Sequence, residues 1–307
     1  MLAIHNLANP AIIYAIALFL SVIWMLRNEK DKARVELVFA LSLNIFYGVL
    51  LNIFMAREGA AFPWKFDHIL MRLDASLGIQ AAFIAPLLQG SPRIPLWIVY
   101  ELMIPMMIAW FLLTRYRRCP GSIILAYVAE LVSGPLLYAI VPACGPLYAF
   151  GRQWLQPPAV LPEAVRLTGA PNAFPSLHVG TAFVLLMFAP GRLWKAVAFL
   201  FLAATCLATL STGEHYVIDL IPGLAFGAFA AAVGARSIRR AVCFFALALS
   251  WSLGVRCAYM ILLAHPILLR SLTGFTLLLV AVALDQQWRG ARASARNAPA
   301  SLPDLSA

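Results

Sequence analysis

The chain has 307 residues, of which 63% are hydrophobic and only 12% are charged, and its net charge is +10 at pH 7. Apolar stretches of about 20 residues, the length that crosses a bilayer core, recur along it and exclude a soluble protein. The basic residues lie in short loops between these stretches, as in proteins oriented by charge in a membrane, so we expect no nucleic-acid partner.

The hydrophobic pattern predicts an all-α, polytopic membrane bundle, because in lipid the backbone must satisfy its own hydrogen bonds. About nine spans are predicted, at residues 9–26, 35–55, 95–114, 121–142, 176–190, 194–211, 216–234, 241–263 and 267–286. The fifth and sixth are short and are separated by a turn at Pro190-Gly191. No basic stretch precedes the long first apolar run, so we expect no cleavable signal peptide.

The basic clusters predict the orientation of the bundle. With nine spans, all of them fall on one side, which the positive-inside rule makes cytoplasmic. The clusters are Arg27/Lys30/Lys32/Arg34, Arg115/Arg117/Arg118, Arg192/Lys195, Arg236/Arg239/Arg240 and Arg289/Arg292/Arg296. The N-terminus is then outside and the C-terminus cytoplasmic. Short loops and the lack of a targeting tail favour a bacterial inner membrane.

The sequence predicts that the chain is divided into three regions. Residues 1–94 hold the first spans and an outer interfacial segment, 95–290 hold the membrane core and the last spans, and 291–307 form a disordered tail. Within the first part, HILMRLDASLG (68–78) has apolar residues at helical spacing. It is predicted either to lie in the membrane interface or to pack on the bundle as a surface helix.

Several polar residues are given structural roles. The five cysteines show no paired spacing typical of a zinc or disulfide framework, and we interpret them as packing residues. His68 and His265 lack partner motifs and are taken as structural or interfacial. Glu101 and Glu130 fall within spans, where at least one is expected to pair with an arginine.

Two polar motifs carry the candidate chemistry, FPSLHVG (174–180) and GEHYVIDLIPG (213–223). Ionisable residues in membrane segments usually mark function. The predicted topology places both motifs at the N-terminal ends of helices on the outer face, where unpaired N–H groups attract anions. The N–H groups of Ser176, Leu177 and His178 are expected to point outward and form part of a phosphate cradle.

His215 and Asp219 are four residues apart and therefore share one helix face. Asp219 can accept from one ring nitrogen of His215, which leaves the other nitrogen free to attack phosphorus. His178 can then act as general acid and base. The same three residues could instead form a two-histidine, one-carboxylate metal site.

These motifs resemble the second and third signatures of the type 2 phosphatidic acid phosphatase superfamily. The phenylalanine-led PSLH and the HYxxD pattern look most like its inositol phosphorylceramide synthase branch, and VPACGPLYAF (141–150) is similar to the first signature of that branch. The resemblance covers about residues 120–225. It implies a six-helix catalytic core, no metal or organic cofactor, His215 as nucleophile, Asp219 as its orienting partner and His178 as acid/base.

The substrate-binding residues are less clear from sequence. We expect Ser176, Leu177, Gly213 and Tyr216 to contribute to the phosphate site. The lysine-x6-arginine-proline signature of the phosphatases is missing, and Thr209 stands six residues before His215, where they carry an arginine. The candidates for the missing cation are Arg152, Arg166 and Arg256. Glu214 either faces solvent or contacts a polar headgroup.

Three functions remain open. The resemblance implies a phosphotransferase that moves phosphoinositol from a membrane phospholipid donor to ceramide, a lipid acceptor, through a phosphohistidine. The same chemistry with water as acceptor gives a lipid phosphatase. A non-catalytic lipid-binding or transport protein is the third, although the inverted repeats of transporters are not evident.

Overall fold

A computed structural model describes residues 57, 59–62, 64–85, 93–117, 121–155, 165–166 and 170–296. It is mainly helical. The helices are α1 Asp67–Leu77, α2 Ala81–Ile84, α3 Arg93–Glu101, α4 Met103–Tyr116, α5 Ile123–Ile140, α6 Pro146–Phe150, α7 Leu177–Met187, α8 Gly191–Thr212, α9 Val217–Gly234, α10 Ile238–Ala264 and α11 Pro266–Arg296. A 3-10 turn spans Gly151–Leu155, and two short strands, β1 Trp64–Lys65 and β2 Val165–Arg166, pair antiparallel.

Five of these helices are long and apolar enough to cross a membrane, namely α5, α8, α9, α10 and α11 as far as Gly290. α3 and α4 together make a sixth candidate span, bent by 54° between Glu101 and Met103. α7 is apolar but shorter. The last seven predicted spans therefore coincide with apolar helices. The first two, at 9–26 and 35–55, lie outside the described residues, so the count of nine stays a prediction.

α7 and α9 approach closely because glycines line their crossing. A Cβ on Gly223 would lie 2.6 Å from the carbonyl oxygen of Ser176, and one on Gly227 would collide with the backbone of Gly180. Such contacts let two backbones pack with no side chain between them. The N-terminal ends of α7 and α9, which carry the two motifs, are thereby held side by side.

α1 packs on the bundle as a surface helix, which is one of the two alternatives predicted for residues 68–78. Ile69, Leu70 and Leu73 are buried in a core cluster that also contains Ile218 of α9 and Trp251 of α10. The predicted boundary after residue 94 therefore cuts through a packed unit, because α1 completes the core of the membrane helices.

The end of the last helix also differs from the sequence prediction. α11 continues through Arg296, into the segment expected to be a disordered tail. Residues 291–296 read ARASAR, and alanine and arginine are strong helix formers, so the helix extends beyond the apolar stretch. Residues 297–307 lie outside the described part of the chain.

The glycine crossing generates a stability prediction. Gly227→Ala is expected to destabilise the protein by about 1–3 kcal/mol through overpacking. Gly254→Ala is the matched control, because nothing lies within 4 Å of its added Cβ and alanine favours a helix. The thermal unfolding midpoints of the two variants in detergent, followed by tryptophan fluorescence, should differ clearly. Equal midpoints would contradict the close packing of α7 and α9.

Candidate active site

His215 lies in the turn between α8 and α9. α8 ends at Thr212, and Gly213 adopts a left-handed conformation (φ 77°) that reverses the chain toward His215. The imidazole is 3% exposed, and its Nδ1 lies 2.7 Å from the carbonyl oxygen of Ala173. Because a carbonyl can only accept, the hydrogen is on Nδ1 and the lone pair is on Nε2. The geometry therefore presents Nε2 as a nucleophile or base.

Burial also keeps this ring neutral. Desolvation lowers the pKa of His215 to about 4, although the nearby Glu214 carboxylate and the Ala173 carbonyl act in the opposite direction. At neutral pH the imidazole is consequently unprotonated, the state in which its free nitrogen can act as a nucleophile or base.

Asp219 lies close to His215, but its shorter contact is a hydrogen bond with the backbone of Tyr216. One oxygen of its carboxylate is 3.5 Å from Nδ1 of His215, and the same oxygen accepts the N–H of Tyr216 at 2.8 Å. The carboxylate thus caps the start of α9. The tautomer of His215 is fixed mainly by Ala173, while Asp219 is near enough to interact electrostatically with the ring.

His178 is the second residue of α7 and faces His215. The two ring centroids are 6.2 Å apart, with an interplanar angle of 63°. The other side of the site comes from α3, since Tyr100 stacks on His178 with a centroid distance of 4.1 Å and an angle of 21°. Sequence reasoning missed Tyr100, because it lies in an apolar span with no motif around it.

Two aspartates of α1 join the site to the rest of the bundle. Asp67 accepts from the N–H groups of Cys144 (3.1 Å) and Gly145 (2.9 Å) and from the hydroxyl of Tyr216 (3.0 Å). Asp74 accepts from the N–H groups of Val217 (2.8 Å) and Ile218 (2.7 Å), the first residues of α9. Sequence analysis missed both. Their spacing of seven places them on one helical face beside Leu70, which was the available signal.

The two carboxyl groups are fully buried. Desolvation raises the pKa of Asp67 to about 6, against the opposing effect of its hydrogen bonds, and raises the pKa of Asp74 well above its ordinary value. Backbone N–H groups inside an apolar bundle need acceptors, and these two residues supply them.

Some of the groups that were predicted to bind phosphate already have hydrogen-bond partners within the protein. The N-terminal end of α9 is occupied by Asp74 and Asp219, and the N–H of Ser176 donates to the carbonyl of Asp219 at 3.1 Å. A phosphate could bind the N–H of Ser176 or the side chain of Tyr216 only if these bonds broke. Within the described part of the chain, the N–H groups of Leu177 and His178 have no hydrogen-bond partner.

Gly213 and Glu214 directly precede His215 in the turn between α8 and α9. A Cβ on Gly213 would lie 2.9 Å from Leu147, so this residue packs against α6. Glu214 is half-buried and accepts the hydroxyl of Tyr148 at 3.0 Å. Burial raises the pKa of Glu214. Its carboxylate is therefore held by a tyrosine rather than free in solvent.

Of the three arginines predicted to bind phosphate, the structure describes the side chain of Arg256 and only the backbones of the other two. Arg256 is exposed on α10, and its guanidinium carbon lies 4.8 Å from the centre of the Phe66 ring, next to the start of α1. The backbones of Arg152 and Arg166 belong to the 3-10 turn and to β2. Their side chains lie outside the described part of the structure, so their phosphate-binding role remains a prediction.

Other polar groups have local partners. Glu130 accepts from the Thr181 hydroxyl at 2.8 Å, and within the described residues it forms no ion pair with an arginine. His68 is buried against Phe150, with ring centroids 5.1 Å apart. Among the residues that the structure describes, no group of three or more His, Cys, Asp or Glu side chains could hold a metal ion.

A helical membrane bundle with two histidines facing each other at helix ends defines an integral membrane protein with a histidine-based site. A family model described as the PAP2 superfamily matches residues 68–234, more than half of the chain. The chain therefore belongs to the PAP2 superfamily, and this membership supports lipid phosphatase or phosphotransferase activity. The comparisons with curated proteins and with solved structures give no match.

The aspartates of α1 can be tested directly. Asp74→Ala leaves two buried N–H groups without an acceptor and should cost about 1–3 kcal/mol for each of them. Asp285→Ala is the control, because Asp285 pairs with Arg289 on an exposed surface. The measurement is the unfolding midpoint of each purified variant. An Asp74→Ala protein as stable as the control would show that Asp74 does not cap α9.

Proposed function

We propose that this protein is an integral membrane phosphotransferase that moves a phosphoryl headgroup from a phospholipid to a lipid hydroxyl through a phosphohistidine. One observation carries the proposal: the hydrogen bond from Nδ1 to Ala173 leaves the Nε2 lone pair of His215 free, and the His178 ring lies 6.2 Å from the His215 ring. At this separation of the ring centroids, both imidazoles border the same site.

The proposed reaction has two steps. Nε2 of His215 attacks phosphorus, the bond from phosphorus to the diacylglycerol oxygen breaks, and His178 gives its proton to that oxygen. The acceptor hydroxyl then returns a proton to His178 as its oxygen attacks phosphorus. The phosphorus–nitrogen bond breaks, and the electron pair returns to Nε2. Asp219 stabilises the cationic ring of the intermediate.

The nature of donor and acceptor rests on the motifs. FPSLH, HYVID and VPACGPLYAF are similar to the inositol phosphorylceramide synthase branch, which supports phosphatidylinositol as donor and ceramide as acceptor. Thr209, at the position of the phosphatase arginine, is fully buried and bonds to the carbonyl of Cys206 at 3.0 Å. A buried threonine cannot replace that cation, so the transferase is favoured over the phosphatase.

We propose a location and orientation consistent with this chemistry. The apolar helices make the protein integral to a membrane. The basic clusters support a cytoplasmic C-terminus and an N-terminus outside. In a bacterial inner membrane, the two histidines would then act at the periplasmic face.

The test uses the purified full-length protein in detergent, with inositol-labelled phosphatidylinositol, with and without ceramide. We expect a ceramide-dependent labelled sphingolipid from the wild type and none from His215→Ala, because the nucleophile is lost. His265→Ala is the matched control, since this histidine is exposed at the end of α10 and should not affect activity.

The other outcomes identify the alternatives. Water-soluble inositol phosphate formed without ceramide would show that water is the acceptor, and the protein would then be a hydrolase and not a transferase. Unchanged transfer by His215→Ala would rule out the nucleophile. Lipid binding without any product, in wild type and variant alike, would favour a non-catalytic lipid-binding or transport protein.

A further inference from the structure

Tyr100 reaches the site from a helix that carries neither motif. It is the penultimate residue of α3, directly before the 54° bend that separates α3 from α4. α3 packs against α8, and α8 leads into the turn that holds His215. The bend and this packing place the phenol ring over His178, almost parallel to the imidazole at 4.1 Å.

The contact with Tyr100 affects both the orientation and the charge of His178. A stacked aromatic ring restricts the plane of the imidazole, because tilting the imidazole would break the parallel contact. The face of a phenol ring is also electron-rich and attracts a cation lying above it. The imidazolium form of His178 therefore gains an attraction to the ring of Tyr100.

We propose that Tyr100 is a positioning residue that holds the His178 ring toward the leaving oxygen and favours its proton-donating form. The inference rests on the proposed role of His178 as general acid. It assigns the effect to the aromatic face of Tyr100 and not to its hydroxyl. A phenylalanine at position 100 should therefore preserve activity, and an aliphatic residue there should reduce it.

The experiment compares two donors. One is the phospholipid, whose diacylglycerol oxygen needs a proton to leave. The other is its p-nitrophenyl analogue, whose leaving group is stable without a proton. The rate of the first step is measured as release of diacylglycerol or as the p-nitrophenolate burst. Tyr100→Leu should slow the phospholipid reaction about tenfold, while changing the p-nitrophenyl reaction by less than about twofold.

Tyr100→Phe should retain the wild-type rate with both donors. His178→Ala provides the reference, since it should show the same dependence on the leaving group in a stronger form. If Tyr100→Leu does not fold, Tyr100→Met replaces it, and the outcome for Tyr100→Phe tests the inference on its own.

Two results overturn the inference. One is an equal loss by Tyr100→Leu with both donors, which would indicate a purely structural role. The other is a tenfold loss by Tyr100→Phe, which would indicate a role for the hydroxyl. If His178→Ala is as active as wild type with the phospholipid, the proposed acid itself is wrong, and this outcome is distinct from a failure of Tyr100.

Discussion

Backbone N–H groups at the start of a helix have no partner within that helix, and in an apolar bundle no water is present to satisfy them. Much of this structure depends on how the start of α9 meets that requirement. Asp74 accepts two of the amides and Asp219 accepts the N–H of Tyr216. Asp67 holds the Tyr216 hydroxyl and the loop at Cys144 and Gly145. Three carboxyl groups thus fix the turn in which His215 lies.

The chemistry follows from the same arrangement. Because the turn is fixed, the ring of His215 meets the carbonyl of Ala173, and this contact selects the tautomer. The glycine crossing of α7 and α9 then brings His178 to the opposite side of the site. His178 lies in the first turn of α7, and His215 lies in the short turn before α9, so helix ends position both rings.

The sequence predicted the helices well because apolar length and periodicity determine them. α5, α7, α8, α9 and α10 agree with the predicted spans within a few residues. The histidine motifs were found because polar residues in apolar segments are conspicuous. Asp67 and Asp74 were missed because their partners are backbone amides 77 to 144 residues away, which no local pattern reveals. The contact of Tyr100 with His178 likewise depends on a bend and on packing between helices, which local sequence does not encode.

The proposed mechanism requires that phosphorus becomes bonded to Nε2 of His215. The most direct measurement is to mix the protein with phosphatidylinositol labelled at phosphorus, without acceptor, quench it at alkaline pH, and locate the label by mass spectrometry of peptides. We expect an acid-labile, alkali-stable adduct on the peptide that contains His215, absent from His215→Ala. Label on another residue, or product formation with no covalent adduct in a rapid-quench time course, would contradict it.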